Sequence, residues 1–335
     1  MFRVLASRLL LILLIGFVPV CTIAESTVNF AEIQILSTNL ASAGTRGEWG
    51  LSALVRADHE CILWDTGRYP DTVISNAASL GVDLTCIKTI VLSHFHFDHT
   101  GGLVEIVNLL RRKGITRSIN VYVAKGFFEP RYLDQRSEAG RSLAEQLGSS
   151  QWNMMLTKRS QIESLGVKFI EVSKATEVAR GVWATGPIER KFDEENFPKF
   201  SSIDGEDGAR EVDWVPDSQG LVIKTSEGPI VLSGCGHSGT VNLVAQVTNT
   251  IQKGPVLALM GGLHLFNASD STLSWTGLKL KETGISYLMA GHCTGVIPMF
   301  SLKEALGLSR SSAVIGAVGA KFTTGKGIEP TPIAK

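Results

Sequence analysis

Three histidines and one aspartate lie within six consecutive positions of the chain. They are His94, His96, Asp98 and His99, in the run HFHFDH. Imidazole and carboxylate groups together are suitable ligands for zinc, iron or manganese. The spacing sends neighbouring side chains in different directions, which is enough to serve two adjacent ions. The run therefore predicts a site for one or two divalent metal ions, zinc first, with iron and manganese as alternatives.

Three further histidines lie in glycine-containing segments of the second half of the chain. His237 lies in SGCGHSG, His264 in GGLHL and His292 in GHCTG. The flanking glycines would let the backbone approach a metal or a substrate closely. The seventh histidine, His59, lies in a polar turn, and we interpret it as an ordinary satisfied polar group.

The first histidine run lies between a predicted strand and a predicted helix. Residues 88–93 form a short apolar run that is typical of a buried strand. Apolar residues recur at helical spacing just after the run, at Leu103, Ile106, Val107 and Leu110. The sequence therefore places the candidate ligands on a strand-to-helix loop.

The rest of the chain alternates between strand and helix patterns. Strands are predicted over residues 32–36, 52–56, 61–65, 119–124, 169–172, 182–185, 221–225, 230–233, 256–260 and 287–290. Helices are predicted over residues 71–80, 241–252 and 271–282, with a mostly helical stretch over 129–163. Two halves of this kind predict two packed sheets with helices outside, an α/β four-layer αββα sandwich forming a single domain over residues 25–335. Residues 193–213 have no sustained period, and they form either a loop that borders a site or a solvated insertion.

The amino terminus predicts export of the protein. Two arginines among the first eight residues precede an apolar run over residues 9–18, and a small-residue site ends at Ala24. This arrangement is typical of a signal peptide, here residues 1–24. The apolar run is shorter than the ~20 residues that cross a bilayer, so an uncleaved anchor is the weaker alternative. We expect a periplasmic or secreted protein.

The cysteines and the charge balance narrow the partners further. Cys61, Cys86, Cys235 and Cys293 remain after signal removal, an even number that allows a disulfide without defining its partners. Basic and acidic residues balance at 32 each, so no overall field would gather nucleic acid or an acidic membrane. We expect a small-molecule substrate, no nucleic-acid partner and no stable membrane insertion after signal cleavage.

These motifs together resemble those of the metallo-β-lactamase superfamily. Its signature is similar to LSHFHFDHTGG at residues 92–102, and its upstream aspartate motif is similar to LWDTG at residues 63–67. The segments that contain Arg190, His237, His264 and His292 occur in the order typical of the branch named for 7,8-dihydropterin-6-methyl-4-(β-D-ribofuranosyl)aminobenzene-5'-phosphate synthase. The resemblance covers residues 32–322 and implies the αββα sandwich.

The resemblance also implies a ligand set and a reaction. The first ion would be bound by His94, His96 and His237, and the second by Asp98, His99 and His292. Asp65 would support the ligands from outside. The implied activity is that of a metal-dependent hydrolase, in which a metal-bound hydroxide attacks a phosphoester, lactone or amide bond and Asp98 orients or receives a proton.

One position departs from the family pattern, because Cys235 lies where many members have a bridging aspartate. Either Cys235 approaches the metals or His237 takes over, and we favour His237 because an exposed thiolate would be oxidisable. We interpret Cys293 as a packing residue. His264 is either a substrate-facing catalytic group or a core histidine, and Arg190 is either an anion-binding catalytic residue or part of a surface ion pair.

Three other functions are compatible with the same ligands. They are a true β-lactamase, an iron-dependent oxidoreductase of the same fold, and a metal-binding protein without turnover. The fold and the metal site carry over from the branch, but its synthase activity does not, because this chain is predicted to be exported.

Overall fold

A computed structural model of the protein describes residues 26–205 and 208–335. The predicted signal peptide, residues 1–24, lies outside the described residues. Within the described part of the chain, the helices are too short or too polar to cross a bilayer.

The described chain alternates between short strands and helices. The strands are β1 (Ala31–Ser37), β2 (Ser52–Ala57), β3 (Glu60–Trp64), β4 (Thr89–Val91), β5 (Ile119–Ala124), β6 (Arg131–Leu133), β7 (Val167–Val172), β8 (Thr176–Ala179), β9 (Val182–Ala184), β10 (Ser201–Asp204), β11 (Arg210–Val212), β12 (Gly220–Ile223), β13 (Ile230–Ser233), β14 (Ala258–Gly262), β15 (Tyr287–Gly291), β16 (Ala313–Ile315), β17 (Lys321–Thr323) and β18 (Gly327–Glu329). The helices are α1 (Thr72–Ser79), α2 (Phe97–Thr100), α3 (Leu103–Arg112), α4 (Glu138–Leu147), α5 (Met155–Ser164), α6 (Thr240–Thr250), α7 (Asp270–Glu282) and α8 (Val296–Leu306), with short 3₁₀ turns at His292–Thr294 and Pro332–Ala334.

Two large mixed sheets form the centre of the fold. The first has eight strands in the order β18-β17-β1-β2-β3-β4-β5-β7, and the second has seven in the order β16-β15-β14-β13-β12-β9-β8. Apolar side chains from both sheets, such as Val55, Trp64, Leu232 and Met260, fill the space between them. The sheets therefore pack face to face.

Helices cover the outer face of each sheet. Val73 of α1, Ile106 of α3 and Ile162 of α5 belong to the apolar core outside the first sheet. Val244 of α6 and Leu302 of α8 belong to the core outside the second sheet, together with residues of α7. The predicted four-layer αββα sandwich is confirmed.

The structure adds elements that the sequence patterns did not predict. The stretch 129–163, predicted as mostly helical, contains strand β6, and the stretch 193–213 contains β10 and β11. These three strands form a separate small sheet in the order β11-β10-β6. They have three or four residues each, and β11 is exposed along its whole length. Strands of three or four residues are too short to show an apolar alternation that a sequence pattern can detect.

A disulfide joins Cys61 and Cys86. It links β3 to the segment that leads into β4, on the first sheet. The other two cysteines of the described chain, Cys235 and Cys293, are free and buried.

The candidate ligands all follow parallel strands. In the first sheet, β3, β4 and β5 run parallel, and Asp65 follows β3 while the His94 run follows β4. In the second sheet, β13, β14 and β15 run parallel and are followed by His237, His264 and His292. Because the carboxyl ends of parallel strands meet at one edge of a sheet, the fold gathers residues from distant segments.

Candidate metal centre

Five imidazole rings from three loops pack against one another at the edge of the sandwich. The ring centre of His94 lies 4.3 Å from those of His96 and His99 and 4.8 Å from that of His237. The ring centres of His99 and His292 are 5.0 Å apart. All five side chains are buried.

The potential ligand atoms form two groups that share Cys235. One group contains Asp98, His99, Cys235 and His292, the other contains His94, Cys235 and His237, and within each group the ligand atoms lie within 4.8 Å of one another. His96 is outside these two groups, but its ring centre is 4.8 Å from that of His237. The first group contains the three residues predicted for the second ion, and the second group contains His94 and His237 of the three predicted for the first ion.

Unpaired nitrogen atoms test whether these residues fit a metal. The Nε2 atoms of His94, His96, His237 and His292 are buried, and none has a hydrogen-bond partner within the described residues. A buried polar atom without a partner is costly, and native structures rarely leave several together. Metal ions at the two positions would satisfy these nitrogens, so the residues present fit a dinuclear centre.

Asp65 and Ser93 orient the imidazoles of the first loop. Asp65 accepts hydrogen bonds from the Ser93 amide and hydroxyl, at 2.7 Å each, and its Oδ2 is 2.7 Å from the Nδ1 atom of His99. The Ser93 hydroxyl is also 2.9 Å from the Nδ1 atom of His94. A hydrogen bond at Nδ1 leaves Nε2 free to bind a metal. Asp65 therefore has the supporting position implied by the sequence.

A main-chain carbonyl performs the same task for His237. The Nδ1 atom of His237 is 2.7 Å from the carbonyl oxygen of Asn196, in the loop predicted either to border a site or to be solvated. No residue pattern marks this contact in the sequence, because the acceptor belongs to the backbone.

The contacts of Arg190 differ from those expected of an anion-binding residue. Its guanidinium donates to the carbonyl oxygens of Glu194 at 2.7 Å, Trp214 at 2.9 Å and His237 at 2.6 Å. It is not among the residues that line the cavity over the centre. Arg190 thus connects three backbone segments around His237, and we regard it as a positioning residue rather than a catalytic one.

A buried ion network supports the first loop from the opposite side. The fully buried guanidinium of Arg131 lies 3.1 Å from carboxylate oxygens of both Asp213 and Asp217. The second oxygen of Asp217 accepts a hydrogen bond from the amide of Phe95, at 2.8 Å. Burial raises the pKa of Asp217 to about 7 in spite of the neighbouring arginine. No local sequence pattern indicates this network, since Arg131 is more than 80 residues from either aspartate.

The protonation of the histidines follows from burial and from the nearby carboxylates. Burial holds the pKa of His94 well below its usual range and lowers that of His96 to about 3. Neutral imidazole is the form that binds metals. Burial also lowers the pKa of His99, but the carboxylates of Asp65 and Asp98 outweigh it and raise the value to about 9. Burial raises the pKa of Asp98, and the histidines around it more than offset that effect, so Asp98 is ionised.

Backbone geometry at the centre is constrained. Asp65, His264 and His292 have φ angles of 53°, 49° and 51°, in the left-handed region that side chains other than glycine rarely adopt. Such strain is maintained where the surrounding structure over-determines it, as at functional sites.

Gly234 lies where the two sheets approach each other, and a Cβ atom there would be 2.0 Å from the Ser93 hydroxyl oxygen. Only glycine fits this contact, which explains one residue of the SGCGH motif.

A cavity of about 1300 Å³ adjoins the centre. Its lining includes the ligand candidates His96, Asp98, Cys235 and His237. Much of the remaining lining is aromatic, from Trp49, Phe97, Trp152, Phe192, Phe197, Phe200, Phe266 and Trp275. Residues 192–200 also line the cavity. The first part of the loop over residues 193–213 therefore borders the site, which was one of its two predicted roles.

Two cavity residues clarify the predictions made from sequence. His264 is half-buried and lines the cavity, and its Nδ1 atom has no hydrogen-bond partner among the described residues. This favours the substrate-facing alternative over the core one. Trp152 stacks on His96 with ring centres 4.4 Å apart, a contact the sequence analysis missed because Trp152 lies in a stretch predicted only as helical.

His237 was favoured over Cys235 on the assumption that the thiol is exposed, and the structure corrects this assumption. Cys235 is only 4% exposed, and its Sγ atom is 3.1 Å from the Nε2 atom of His99. Both residues therefore lie in the centre.

Cys293, interpreted as packing, forms a third group with Cys235 and His264, again with ligand atoms within 4.8 Å of one another. His59 lies in an exposed turn between β2 and β3, as interpreted.

Comparison with known proteins agrees with this geometry. The metallo-beta-lactamase superfamily profile matches residues 50–292. The chain is 31% identical, over 73% of its length and 81% of the relative, to 7,8-dihydropterin-6-methyl-4-(beta-D-ribofuranosyl)-aminobenzene-5'-phosphate synthase of Methanocaldococcus jannaschii.

Two solved structures share the fold. The crystal structure of Tm1679, a metal-dependent hydrolase of the beta-lactamase superfamily, has a TM-score of 0.65 at 23% identity and covers 87% of this chain and 98% of its own. A diphosphatase from the PhnP family has a TM-score of 0.51 at 14% identity and covers 89% and 98%. The profile match spans most of the chain and includes both ligand-bearing sheets, so the chain belongs to the metallo-β-lactamase superfamily.

Proposed function

We propose that this protein is an exported metal-dependent hydrolase that cleaves a phosphoester, lactone or amide bond in a small molecule. The observation that carries the proposal is a set of buried Nε2 atoms beside an aromatic-lined cavity. They belong to His94, His96, His237 and His292, and none has a hydrogen-bond partner among the described residues. A cavity of about 1300 Å³ suits a small molecule rather than a polymer.

The ligand groups define what the centre would hold. His94, His96 and His237 would bind one divalent ion, and Asp98, His99 and His292 the other, with zinc, iron or manganese as the candidates. Bound divalent ions polarise a scissile carbonyl or phosphoryl group and lower the pKa of water to near neutrality.

The chain's own residues would orient the substrate and move protons. Asp98 lines the cavity beside the other candidate ligands, and in this proposal its carboxylate, besides binding a metal, orients the attacking water or receives its proton. His264 lines the same cavity, and its Nδ1 atom has no hydrogen-bond partner among the described residues. In this proposal its imidazole donates a hydrogen bond or a proton to the leaving group. The aromatic side chains exclude water from the reacting groups.

The disulfide supports the proposal of export. Cys61 and Cys86 form a disulfide, and such bonds persist mainly in oxidising compartments. Fractionation of cells that express the full chain should place the protein outside the cytoplasm with residues 1–24 removed. A protein that stays in the cytoplasm with its amino terminus intact would contradict this part of the proposal.

The name of the Methanocaldococcus relative describes a synthase, and hydrolysis is our proposal for this chain alone. The distinction can be measured, because a hydrolase consumes water and needs one organic substrate. A synthase would require a second organic substrate for turnover.

The decisive experiment combines elemental analysis of the purified protein with a screen of phosphoesters, lactones and amides. We expect one or two zinc, iron or manganese ions per chain and turnover of at least one substrate class. Asp98→Ala should lower kcat/KM by ~10³-fold or more, because it removes a ligand and the proton acceptor together. His59→Ala, at an exposed position in a turn, is the matched control and should leave turnover unchanged.

The other outcomes of this experiment would refute the site assignment or indicate another function. Normal metal content and turnover in Asp98→Ala would refute the site assignment. Efficient cleavage of a β-lactam would indicate a β-lactamase, and oxygen consumption with bound iron would indicate an oxidoreductase. Bound metal without turnover on any substrate would indicate a metal-binding protein.

A further inference from the structure

Cys235 occupies the point that the two ligand groups have in common. Its Sγ atom lies within 4.8 Å of the ligand atoms of His94 and His237 on one side and of Asp98, His99 and His292 on the other. The residue follows β13, directly after Gly234, whose missing side chain lets the strand end approach Ser93. The backbone therefore delivers the sulfur to the middle of the centre.

The groups around this sulfur point toward it. The Nδ1 atom of His99 is taken by Asp65, so its Nε2 atom faces the Cys235 sulfur at 3.1 Å. The Nε2 atoms of His94, His237 and His292 have no hydrogen-bond partner among the described residues. One thiol proton cannot satisfy all of these nitrogen atoms, whereas two cations that bind both the nitrogens and the sulfur can.

The thiol of Cys293 lies close to Cys235. The Sγ atom of Cys293 is 3.7 Å from the carbonyl oxygen of Cys235, and both cysteines form a ligand group with His264. Both cysteines are almost fully buried, at 4% and 1% exposure, which protects them from oxidants. Soft sulfur ligands select zinc or iron over magnesium and manganese.

We propose that Cys235 is a bridging thiolate ligand of both metal ions, and that it makes the centre selective for zinc or iron over manganese. The thiol proton leaves to solvent when the metals bind, so the sulfur bears the negative charge that a carboxylate bridge would otherwise supply. This inference rests on the dinuclear centre of the proposed function, and it names a ligand that the proposed ligand set leaves out.

The test uses cobalt as a spectroscopic probe. The full chain is depleted of its metals, loaded with Co²⁺ and examined for bound cobalt per chain and for the near-ultraviolet charge-transfer band of a thiolate bound to cobalt. We expect two ions per chain and a clear band in the wild type. Cys235→Ser should lose the band and one of the ions, whereas Cys235→Asp should lose the band and keep both ions.

Controls distinguish the role of Cys235 from that of Cys293 and distinguish loss of the ligand from loss of folding. Cys293→Ser should keep the band, and circular dichroism should show that every variant is folded. A band that persists in Cys235→Ser, or that is absent from the wild type with both ions bound, would overturn the inference and leave the metal centre intact. A chain that binds no cobalt would instead refute the metal centre of the proposed function.

Selectivity provides a second readout. Competition between Zn²⁺ and Mn²⁺ should favour zinc by ~10-fold or more in the wild type relative to Cys235→Asp, since a carboxylate bridge suits manganese better than sulfur does. Equal selectivity in the two proteins would contradict the proposed preference.

Discussion

The metal centre is built from two regions that differ in construction. The first ligand loop, residues 94–99, provides four candidate ligands from one continuous segment after β4. The second ligand edge consists of the three loops after β13, β14 and β15, and each loop provides one histidine. Side chains hold the first region, because Asp65 and Ser93 bind its imidazoles and Asp217 binds its backbone.

The second region is held by contacts to backbone carbonyls. The carbonyl of Asn196 accepts from His237, and Arg190 binds three further carbonyls around it. His264 and His292 owe their direction to left-handed backbone conformations. The contrast teaches that substitutions should damage the two regions differently. Replacing Asp65 or Asp217 removes a side-chain contact of the first loop, whereas the carbonyl of Asn196 that His237 contacts remains when the Asn196 side chain is replaced.

The largest stability effect should come from breaking the buried network behind the first loop. Arg131→Met leaves the buried carboxylates of Asp213 and Asp217 without their cation and should lower the free energy of unfolding by about 3–5 kcal/mol. Urea unfolding measures the change. Arg136→Ala, which removes an exposed ion pair with Asp134, is the control and should be neutral. A neutral Arg131→Met would show that the network does not stabilise the first region.

The disulfide should stabilise the sheet that carries the first ligand loop. Replacing Cys61 and Cys86 by alanine opens a crosslink between positions 25 residues apart and should lower the free energy of unfolding by about 3 kcal/mol. Chemical unfolding with and without a reductant measures this, and the double variant should no longer respond to the reductant. A wild-type protein that is insensitive to reduction would contradict the prediction.

Matched substitutions in the two regions should differ in metal affinity. Asp65→Asn weakens the contact that fixes His99 and should lower metal affinity by ~10–100-fold. Asn196→Ala keeps the carbonyl that binds His237, so its affinity should match the wild type. Titration with a chelator as competitor measures both. Equal losses in the two variants would remove the distinction between side-chain and backbone support.

The smallest effect concerns pH and the second region. Burial raises the pKa of Glu194 to about 7, even though its carboxylate accepts hydrogen bonds from the amides of Val241 and Asn242 at the start of α6. The folded protein therefore keeps a proton that the unfolded chain has lost, and stability falls as pH rises from about 4.5 to about 7.

The Gln variant isolates this contribution. Glu194→Gln should reduce the loss of unfolding free energy between about pH 5 and pH 8 by about 1–2 kcal/mol. Asp217 contributes a slope of the same sign in both proteins, so the difference between them reports Glu194. Parallel stability curves for the two proteins would argue against the shifted pKa.

Much of the fold was predictable because its signals are local. The apolar periodicity around α3 and the β-rich runs of the central strands gave the sandwich, and β5 and β13 were predicted with the bounds that the structure has. Helix α8 and the last three strands were not predicted, and neither was the small sheet. In α8, the exposed apolar residues Val296, Ile297 and Phe300 obscure the helical period, and the last three strands have only three residues each.

The sequence by itself determined the family, the sandwich and the identity of the candidate ligands, because histidine spacing and glycine motifs are written along the chain. Only the tertiary structure decided that Cys235 lies between the two ligand groups, that Arg190 binds backbone carbonyls, and that Arg131 supports the first loop. These depend on distances between segments far apart in sequence. The physical reason is that parallel strand ends and close glycine contacts bring such segments together, and no local pattern records which atoms then meet.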